Sequence, residues 1–394
     1  MESHRPLSSR LDSISPFHVM DILARAKTLE SEGRHIVHME VGEPDFPTPE
    51  PVRKAAADKL AEGHIHYTPA VGMNSLRERI SRYYKDRFSL EISLDCVGLS
   101  TGASGALQLL LAALLEPGDR VLMSDPGYPC NRHIVTLFGG STSLIAVGAE
   151  SRFQLTAEIL AKNWRSGTKA VMLASPANPT GAIIPYQSMQ EIYQLVSTQG
   201  AVLIVDEIYQ GLTYGIEDYC AAEISPDIVV INSFSKYFGM TGWRLGWFLA
   251  PEWLLAAAEK IAQNLFLAPP TLAQYAALSA FHTETIEILE ARKNEFAQRL
   301  DLMATELPSL GFELAGKPDG AFYLYADCHR LCGNSLQFCQ QLLEHEGVAI
   351  TPGIDFGSYQ ADAFVRFACT TEQSQLRLGL KRIKQFLASG AHAA

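Results

Sequence analysis

One lysine stands where a buried amine could act as a nucleophile. Lys236 ends the run Ser-Phe-Ser-Lys at residues 233–236, which follows the apolar stretch Ile228–Ile231. A lysine so close to an apolar strand is unusual for a solvated charge, and burial favours the neutral, nucleophilic amine. Arg244 lies eight residues further on, within the run Gly-Trp-Arg-Leu-Gly. The pattern predicts a reactive lysine with a cation nearby.

Three further groups of polar residues follow other candidate strands. Residues 100–105, Ser-Thr-Gly-Ala-Ser-Gly, open a helix, where free backbone N–H groups and the helix dipole favour an anion. Asp206 ends another strand, and Asn178-Pro179-Thr180-Gly181 ends a third. In an open α/β sheet, ligands bind beyond the carboxyl ends of the strands. Each motif alone could equally be a tight turn or a helix N-cap, so the combination carries the information.

The elements that position these residues are short apolar strands that alternate with helices between about residues 95 and 250. This alternation predicts an open α/β sheet, and runs that are apolar throughout are typical of strands covered on both faces. The predicted strands are Cys96–Ser100, Arg120–Met123, Ser143–Val147, Ala170–Ala174, Val202–Val205, Ile228–Ile231 and Leu245–Leu249.

After about Thr271 the sequence pattern changes from alternating strands and helices to mainly long amphipathic helices with a few short strands. A helix over Gly105–Leu115 is predicted within the sheet region, ended by a Pro-Gly pair. Beyond Thr271, the predicted elements are helices over Thr285–Leu307 and Ser335–Glu346 and strands over Ala321–Tyr325 and Phe364–Ala368. The shift predicts a second, C-terminal domain joined by the N-terminal segment.

Composition and charge exclude several classes of protein. The 394 residues, 47% of them hydrophobic, suffice for one large domain and a smaller one. A formal net charge of -11 leaves no excess of Lys and Arg to bind nucleic-acid phosphates. No apolar run reaches the roughly 18 residues of a membrane span, and residues 1–10 lack the apolar core of a secretory signal. The chain is therefore expected to be cytoplasmic.

The cysteines and histidines do not predict a metal site. Seven cysteines without a CxxC pair are typical of buried free thiols in a reducing compartment. His64 and His66 lack further ligands nearby, and the stretch from Cys328 to Cys332 is interpreted as a loop beside a strand.

Together, the residues at the strand ends match the needs of one cofactor, pyridoxal 5′-phosphate (PLP). PLP requires a lysine for its aldehyde, N–H or cationic donors for its phosphate, and a carboxylate for its pyridinium nitrogen. It also requires donors for its phenolic oxygen and an aromatic face. Lys236, Arg244, Asp206 and residues 100–105 supply the first three of these groups.

Over nearly its whole length the chain resembles the class I/II aminotransferases of PLP fold type I, the aspartate aminotransferase-like superfamily. The motifs that carry the resemblance are, in order, Val41-Gly42-Glu43-Pro44-Asp45-Phe46, His66-Tyr67-Thr68-Pro69 with Gly72, Asp125-Pro126-Gly127-Tyr128-Pro129, Asn178-Pro179-Thr180-Gly181, Asp206-Glu207-Ile208-Tyr209, Ser233-Phe234-Ser235-Lys236 and Phe364-Val365-Arg366-Phe367. The resemblance implies an α/β fold. A large domain, with a mostly parallel seven-stranded sheet between helices, is placed at residues 47–280. A smaller α+β domain is placed at 1–46 and 281–394, and a homodimer is expected.

The resemblance also implies roles for residues of this chain around the cofactor ring. Lys236 is expected to form the internal aldimine and, once released, to move the α-proton. Asp206 is expected to keep the pyridinium protonated, because an opposite charge nearby raises its pKa. Tyr209 and Asn178 are expected to donate to the phenolic oxygen, and Tyr128 to stack on the ring.

The phosphate and the substrate carboxylate have expected partners as well. Ser233, Arg244 and the turn at Ala103 and Ser104 are expected to hold the phosphate, with Tyr67 reaching the phosphate of the other subunit. Arg366 is expected to grip the substrate α-carboxylate through two parallel hydrogen bonds. Asn178 and the backbone of Gly42 would assist it.

The resemblance implies an aminotransferase (EC 2.6.1.-) that moves an amino group from an amino acid to a 2-oxo acid by a ping-pong mechanism. A PLP-dependent C–S β-lyase of the same fold is the alternative enzyme, because both reactions start from the same aldimine. A PLP-binding transcription regulator would need a DNA-binding module before the motif at Val41, where only about 40 residues stand.

The donor side chain is expected to be neutral. An acidic side chain in a closed pocket needs a cation, because an unpaired buried carboxylate costs several kcal/mol. Aspartate-specific members of the family carry either an Arg just before the segment corresponding to residues 264–270, contributed by the neighbouring subunit, or a Lys in the phosphate turn. This chain has neither. Apolar residues are expected to line the pocket instead, and the candidates are Leu265, Phe266, Leu267, Phe17 and Ile14. Arg25 or Lys27 would be the cations able to alter this expectation.

Overall fold

Seven strands form the main sheet of the protein, whose computed structural model describes residues 7–390. The strands, numbered along the whole chain, are β2 (Val97–Ser100), β3 (Arg120–Asp125), β4 (Ser141–Ala146), β5 (Thr168–Ala174), β6 (Val202–Asp206), β7 (Val229–Ser233) and β8 (Gly246–Leu249). Their order across the sheet is β2-β8-β7-β6-β5-β3-β4, and β8 alone runs antiparallel to its neighbours. The predicted sheet, mostly parallel and seven-stranded, is confirmed.

Burial explains why the central strands could be located from the sequence. Every residue of β7 is buried, as are the last four of β6, because helices cover both faces of the sheet. At the edge, β4 is mostly exposed or half-buried. The expectation of a strand covered on both faces is wrong there, because an edge strand next to solvent tolerates Ser and Thr.

Twelve α-helices accompany the strands within residues 7–390. They are α1 (His18–Ser31), α2 (Glu50–Glu62), α3 (Asn74–Phe88), α4 (Gly102–Leu114), α5 (Pro129–Leu137), α6 (Ala157–Asn163), α7 (Tyr186–Thr198), α8 (Glu252–Leu265), α9 (Thr271–Leu278), α10 (Thr283–Glu306), α11 (Ser335–Glu346) and α12 (Gln373–Ser389). Short 3₁₀ turns occupy Ser9–Ser13, Leu94–Cys96, Ala149–Ser151, Ala221–Glu223, Thr241–Trp243, Ser279–Phe281, Leu307–Leu310, Gly353–Asp355 and Ala361–Ala363.

Two smaller sheets tie the beginning of the chain to its end. The remaining strands are β1 (Val37–His38), β9 (Glu313–Leu314), β10 (Tyr323–Asp327), β11 (Val348–Ala349), β12 (Thr351–Pro352) and β13 (Phe364–Ala368). An antiparallel sheet has the order β12-β13-β10-β9, and β1 pairs in parallel with β11. The N-terminal segment thus packs with the C-terminal part. The domain boundaries at 46/47 and 280/281 stay a prediction.

One long helix contributes to two hydrophobic cores. Leu289 and Phe296 of α10 belong to the core beside the main sheet. Leu300 and Met303, further along the same helix, belong to the core of the smaller sheets. At 1.5 Å per residue, its 24 residues span about 36 Å. The helix therefore connects the two cores without a break.

Within residues 7–390, no helix combines the length and hydropathy needed to span a membrane. The same part of the chain contains no group of three or more His, Cys, Asp or Glu side chains arranged to bind a metal ion.

Candidate active site

A cavity of about 280 Å³ opens at the carboxyl ends of β5, β6 and β7, between the main sheet and the smaller sheets. Asp206 ends β6, Asn178 follows β5 by four residues, and Lys236 follows β7 by three. Ten of the twelve site residues predicted from the sequence line this cavity: Gly42, Ala103, Ser104, Tyr128, Asn178, Asp206, Tyr209, Lys236, Arg244 and Arg366. The other two, Ser233 and Tyr67, are not part of its lining.

The amine of Lys236 points into the cavity in a partly desolvated position. Its Nζ donates a hydrogen bond to the carbonyl oxygen of Gly42 at 2.5 Å. Burial lowers the pKa of Lys236 from 10.5 to about 8, while the carboxylate of Glu43 opposes that shift and the guanidinium of Arg366 adds to it. About a tenth of the amine is therefore neutral at pH 7, as a nucleophile or a general base requires.

Asp206 supplies the carboxylate on the cavity floor. Burial raises its pKa from 3.8 to about 6, against the opposing effects of a backbone hydrogen bond and the charge of Lys236. That hydrogen bond comes from the N–H of Ile208, which donates to Oδ1 at 3.1 Å. Because a cation bound beside it would favour the ionised carboxylate, Asp206 is suited to pair with a positively charged ring nitrogen.

Two tyrosine hydroxyls meet beside the lysine. Tyr209 and Tyr323 are hydrogen-bonded through their hydroxyl oxygens at 2.7 Å, and both side chains are buried. The position of Tyr323 also requires a glycine at residue 42, because a Cβ added to Gly42 would lie 1.7 Å from the Tyr323 hydroxyl oxygen. Tyr323 was not among the site residues predicted from the sequence, because within its apolar strand it looks like any buried aromatic residue.

An anion-binding corner forms where α4 begins. Ala103 and Ser104 lie in its first turn, whose N–H groups have no partners earlier in the helix. The guanidinium of Arg244 packs against Gly102, where an added Cβ would lie 2.7 Å from Nη2. Its Nη1 donates to the carbonyl oxygen of Thr241 at 2.9 Å. These donors converge as a phosphate group would require.

Ser233 lies just behind the cavity lining, so its expected contact with the phosphate stays a prediction. Its side chain is buried, and its hydroxyl donates to the carbonyl oxygen of Leu245 at 3.1 Å and accepts from the N–H of Ser235. Ser235, two residues on, lines the cavity instead. The two hydroxyls are adjacent, because the oxygen of Ser233 lies 3.0 Å from that of Ser235.

Arg366 lies on β13 with its guanidinium held by neutral oxygens. Its Nη1 donates to Oδ1 of Asn178 at 2.9 Å, and its Nη2 donates to Oγ1 of Thr351 at 3.1 Å and to the carbonyl oxygen of Glu40. The rings of Tyr323 and Phe356 lie 4.4 and 4.8 Å from the guanidinium carbon. Its Nε atom is buried and has no hydrogen-bond partner among residues 7–390. The positive charge and this free donor suit a carboxylate ligand.

Tyr67, Phe17, Ile14 and Arg25 were also considered from the sequence. Tyr67 is 81% exposed, so an intersubunit role for it stays a prediction. Phe17 lines the cavity, whereas Ile14 does not. Arg25 is engaged by the carboxylate of Glu344, with hydrogen bonds of 2.5 and 2.9 Å.

The chemical groups that line the cavity are those that PLP requires. A buried amine of lowered pKa could bind the aldehyde, and the buried carboxylate of Asp206 could pair with the ring nitrogen. Tyr128 supplies an aromatic face, and the α4 turn with Arg244 could bind the phosphate. The unpartnered Nε of Arg366 remains available for a substrate carboxylate.

Known proteins similar to this chain are aminotransferases. The family model described as aminotransferase class I and II matches residues 34–383. The chain is 39% identical to the valine–pyruvate aminotransferase of Mycobacterium tuberculosis, over 95% of this chain and 97% of that protein. It is 33% identical to an aspartate aminotransferase of Thermotoga maritima, over 97% of this chain and 100% of that protein. A solved aminotransferase structure from Mycobacterium tuberculosis superposes with a TM-score of 0.95 at 38% identity, covering 98% of this chain and 100% of that one.

Proposed function

The chain belongs to the class I and II aminotransferases, which depend on PLP, and on that premise we propose that its amino donors have neutral side chains. The acceptor would be a 2-oxo acid, taken up after the first product leaves the same site in a ping-pong mechanism. The observation that carries the proposal is the cavity lining, in which each cation already has a task unrelated to the side chain.

PLP, when bound, supplies an aldehyde carbon that takes up the amino group and a ring that accepts the electron pair left when the α-proton is removed. The protein residues do the rest. We infer that Lys236 holds the cofactor covalently through Nζ and then carries the α-proton on the same nitrogen. Its lowered pKa, about 8, lets Nζ accept and return a proton near neutral pH.

Asp206 would bind the ring nitrogen of the cofactor, and Arg366 would bind the α-carboxylate of the substrate. The Asp206 carboxylate would keep the ring nitrogen protonated, which makes the ring a better electron acceptor. Arg366 would bind the α-carboxylate that donor and acceptor share, because no carboxylate within the described part of the chain lies at hydrogen-bonding distance from its guanidinium. Because Arg366 and Lys236 line one cavity, a substrate held at its carboxylate would react with a neighbouring amine, so that proximity would replace a bimolecular step.

The residues that line the cavity favour a substrate with a neutral side chain. Among residues 7–390, Lys236, Arg244 and Arg366 are the Lys and Arg side chains that line the cavity. Lys236 would bind the cofactor aldehyde, Arg244 its phosphate and Arg366 the substrate α-carboxylate, so none of them is left for an acidic side chain. Phe17, Val19 and Met20 of the N-terminal segment provide an apolar wall. A buried side-chain carboxylate would lack a partner there, at a cost of several kcal/mol. The name of the Mycobacterium tuberculosis relative, which pairs valine with pyruvate, supports a neutral donor.

We further propose a homodimer in which Tyr67 and the segment 264–270 of one subunit reach the site of the other. Tyr67, Leu265 and Leu267 are each more than half exposed within a single chain. Burial against a second subunit would account for such apolar exposure.

A half-reaction screen tests the proposed function. Holoenzyme is mixed with each amino acid, and conversion of the cofactor from its aldehyde to its amine form is followed by absorbance. Neutral donors should convert it, with release of the matching 2-oxo acid, whereas a β-lyase would instead release ammonia and a thiol from a sulfur-bearing substrate. A kcat/KM for aspartate tenfold or more above that of every neutral donor, about 1.4 kcal/mol, would refute the neutral pocket.

A further inference from the structure

Helix α1 begins without a capping side chain of its own. Its N-cap residue is Phe17, which has no hydrogen-bonding side chain. The first free N–H groups, those of His18 and Val19, instead donate to the two carboxylate oxygens of Asp355, each at 2.8 Å. Asp355 is 2% exposed and lies more than 330 residues away in the chain. A buried carboxylate at this place satisfies two N–H groups and the positive end of the helix dipole.

The turn that Asp355 caps is also the apolar wall of the cavity. Phe17, Val19 and Met20 all line it. Phe17 is only half-buried and meets the Tyr128 ring edge-on, with centroids 6.3 Å apart, while Met20 is 53% exposed. Phe17 and Met20 therefore make few packing contacts with the rest of the protein. Their position depends on the hydrogen bonds that hold the first turn of α1.

The segment that carries Asp355 also holds the carboxylate site. Thr351 accepts a hydrogen bond from Arg366, and Phe356 packs against its guanidinium at 4.8 Å. Arg132 adds a bond to the carbonyl oxygen of Asp355 at 3.1 Å. Residues 351–356 thus fix the Arg366 guanidinium and the start of α1 at a set distance from each other.

We propose that Asp355 is a positioning residue that sets the preference for large apolar donors. It does so by anchoring the Phe17–Met20 wall at a fixed distance from Arg366. This inference rests on the proposed aminotransferase function with neutral donors and adds the residue that controls the side-chain site.

The first test compares two donors in one variant. Leucine and alanine present the same α-carboxylate to Arg366, so effects on that arginine cancel in the ratio of their kcat/KM values. In Asp355→Ala the leucine-to-alanine ratio should fall about tenfold, while kcat/KM for alanine stays within about twofold of wild type. Asp355→Asn, which keeps one acceptor oxygen, should show an intermediate ratio. Asp362→Ala removes an exposed aspartate nearby and should leave the ratio unchanged.

Two results would overturn the proposal. One is an equal loss for both donors in Asp355→Ala and Asp355→Asn, which would mean that Asp355 acts through Arg366 or the fold. The other is a wild-type enzyme whose leucine-to-alanine ratio is already near one.

A binding measurement separates this proposal from the proposed function. Straight-chain saturated carboxylates of increasing length are titrated into the holoenzyme, which requires no turnover. Each methylene buried against the wall should tighten binding about fourfold in wild type, and this increment should shrink in Asp355→Ala but not in Asp362→Ala. An unchanged increment would refute the role of Asp355 even in an active enzyme. A lost increment in a protein that transaminates no neutral donor would support the anchored wall and refute the proposed donor class.

Discussion

The lowered pKa of Lys236 predicts how the protein without cofactor should capture PLP as pH is varied. Only the neutral amine can attack the aldehyde. At pH 7 an amine with a pKa of about 8 is roughly 10% neutral, whereas a lysine at 10.5 is roughly 0.03% neutral, a difference of about 300-fold. Between pH 7 and pH 9 the capture rate should therefore rise about tenfold and then level off.

The assay is stopped-flow absorbance of PLP mixed with the cofactor-free protein, with a free aliphatic amine titrated in parallel to correct for the ionisation of PLP itself. Glu43→Gln is the matched variant, because the Glu43 carboxylate raises the pKa of Lys236. Its loss should move the midpoint of the profile to lower pH. A wild-type rate that still climbs steeply above pH 9, as an ordinary lysine would require, would refute the reasoning from burial.

Three further outcomes are expected. Lys236→Ala should lower transamination by at least ~10³-fold, because nucleophile and base are lost together; a rate near wild type would show that another group does this work. Arg366→Lys should raise the KM of donor and acceptor by about 10–100-fold with a smaller change in kcat, because one ammonium cannot replace the planar fork held by Asn178 and Thr351; steady-state kinetics with unchanged KM values would contradict this. Holoenzyme at micromolar concentration should sediment at twice the chain mass of 43.2 kDa, and Tyr67→Phe should weaken PLP retention without changing that mass. Sedimentation only at the mass of one chain would rule out the dimer.

The main sheet could be predicted because its strands are buried runs with clear ends. The predicted strand at Val202–Val205 differs from β6 by one residue, and helix α11 begins and ends as predicted at Ser335 and Glu346. Helix α4 was placed three residues late, starting at Gly105 instead of Gly102. Thr101, its N-cap, makes no capping bond, so no capping side chain marks the first residue of α4 within the small residues 100–105.

The residues that were missed act through contacts between distant parts of the chain. Tyr323 sits in an apolar strand and is indistinguishable there from a core residue until β10 is seen beside Gly42 and Tyr209. Asp355 follows Ile354 in what the sequence presents as an ordinary loop, and only tertiary packing brings it to the start of α1. Local propensity contains no information on such pairs. Lys236, Asp206 and Asn178 could be expected together because strand ends converge by topology, whereas Gly42, Tyr128 and Arg366 were expected only through the family resemblance.

The continuous helix α10 has a consequence for how the protein unfolds. Leu289 and Phe296 anchor one end in the core of the main sheet, while Leu300 and Met303 anchor the other in the core of the smaller sheets. Melting either core would leave half of one helix without its packing partners, and a single helix segment of this length is marginal in water. The two cores should therefore melt together, so that heating gives one cooperative transition and a destabilising change in one core lowers the Tm of both.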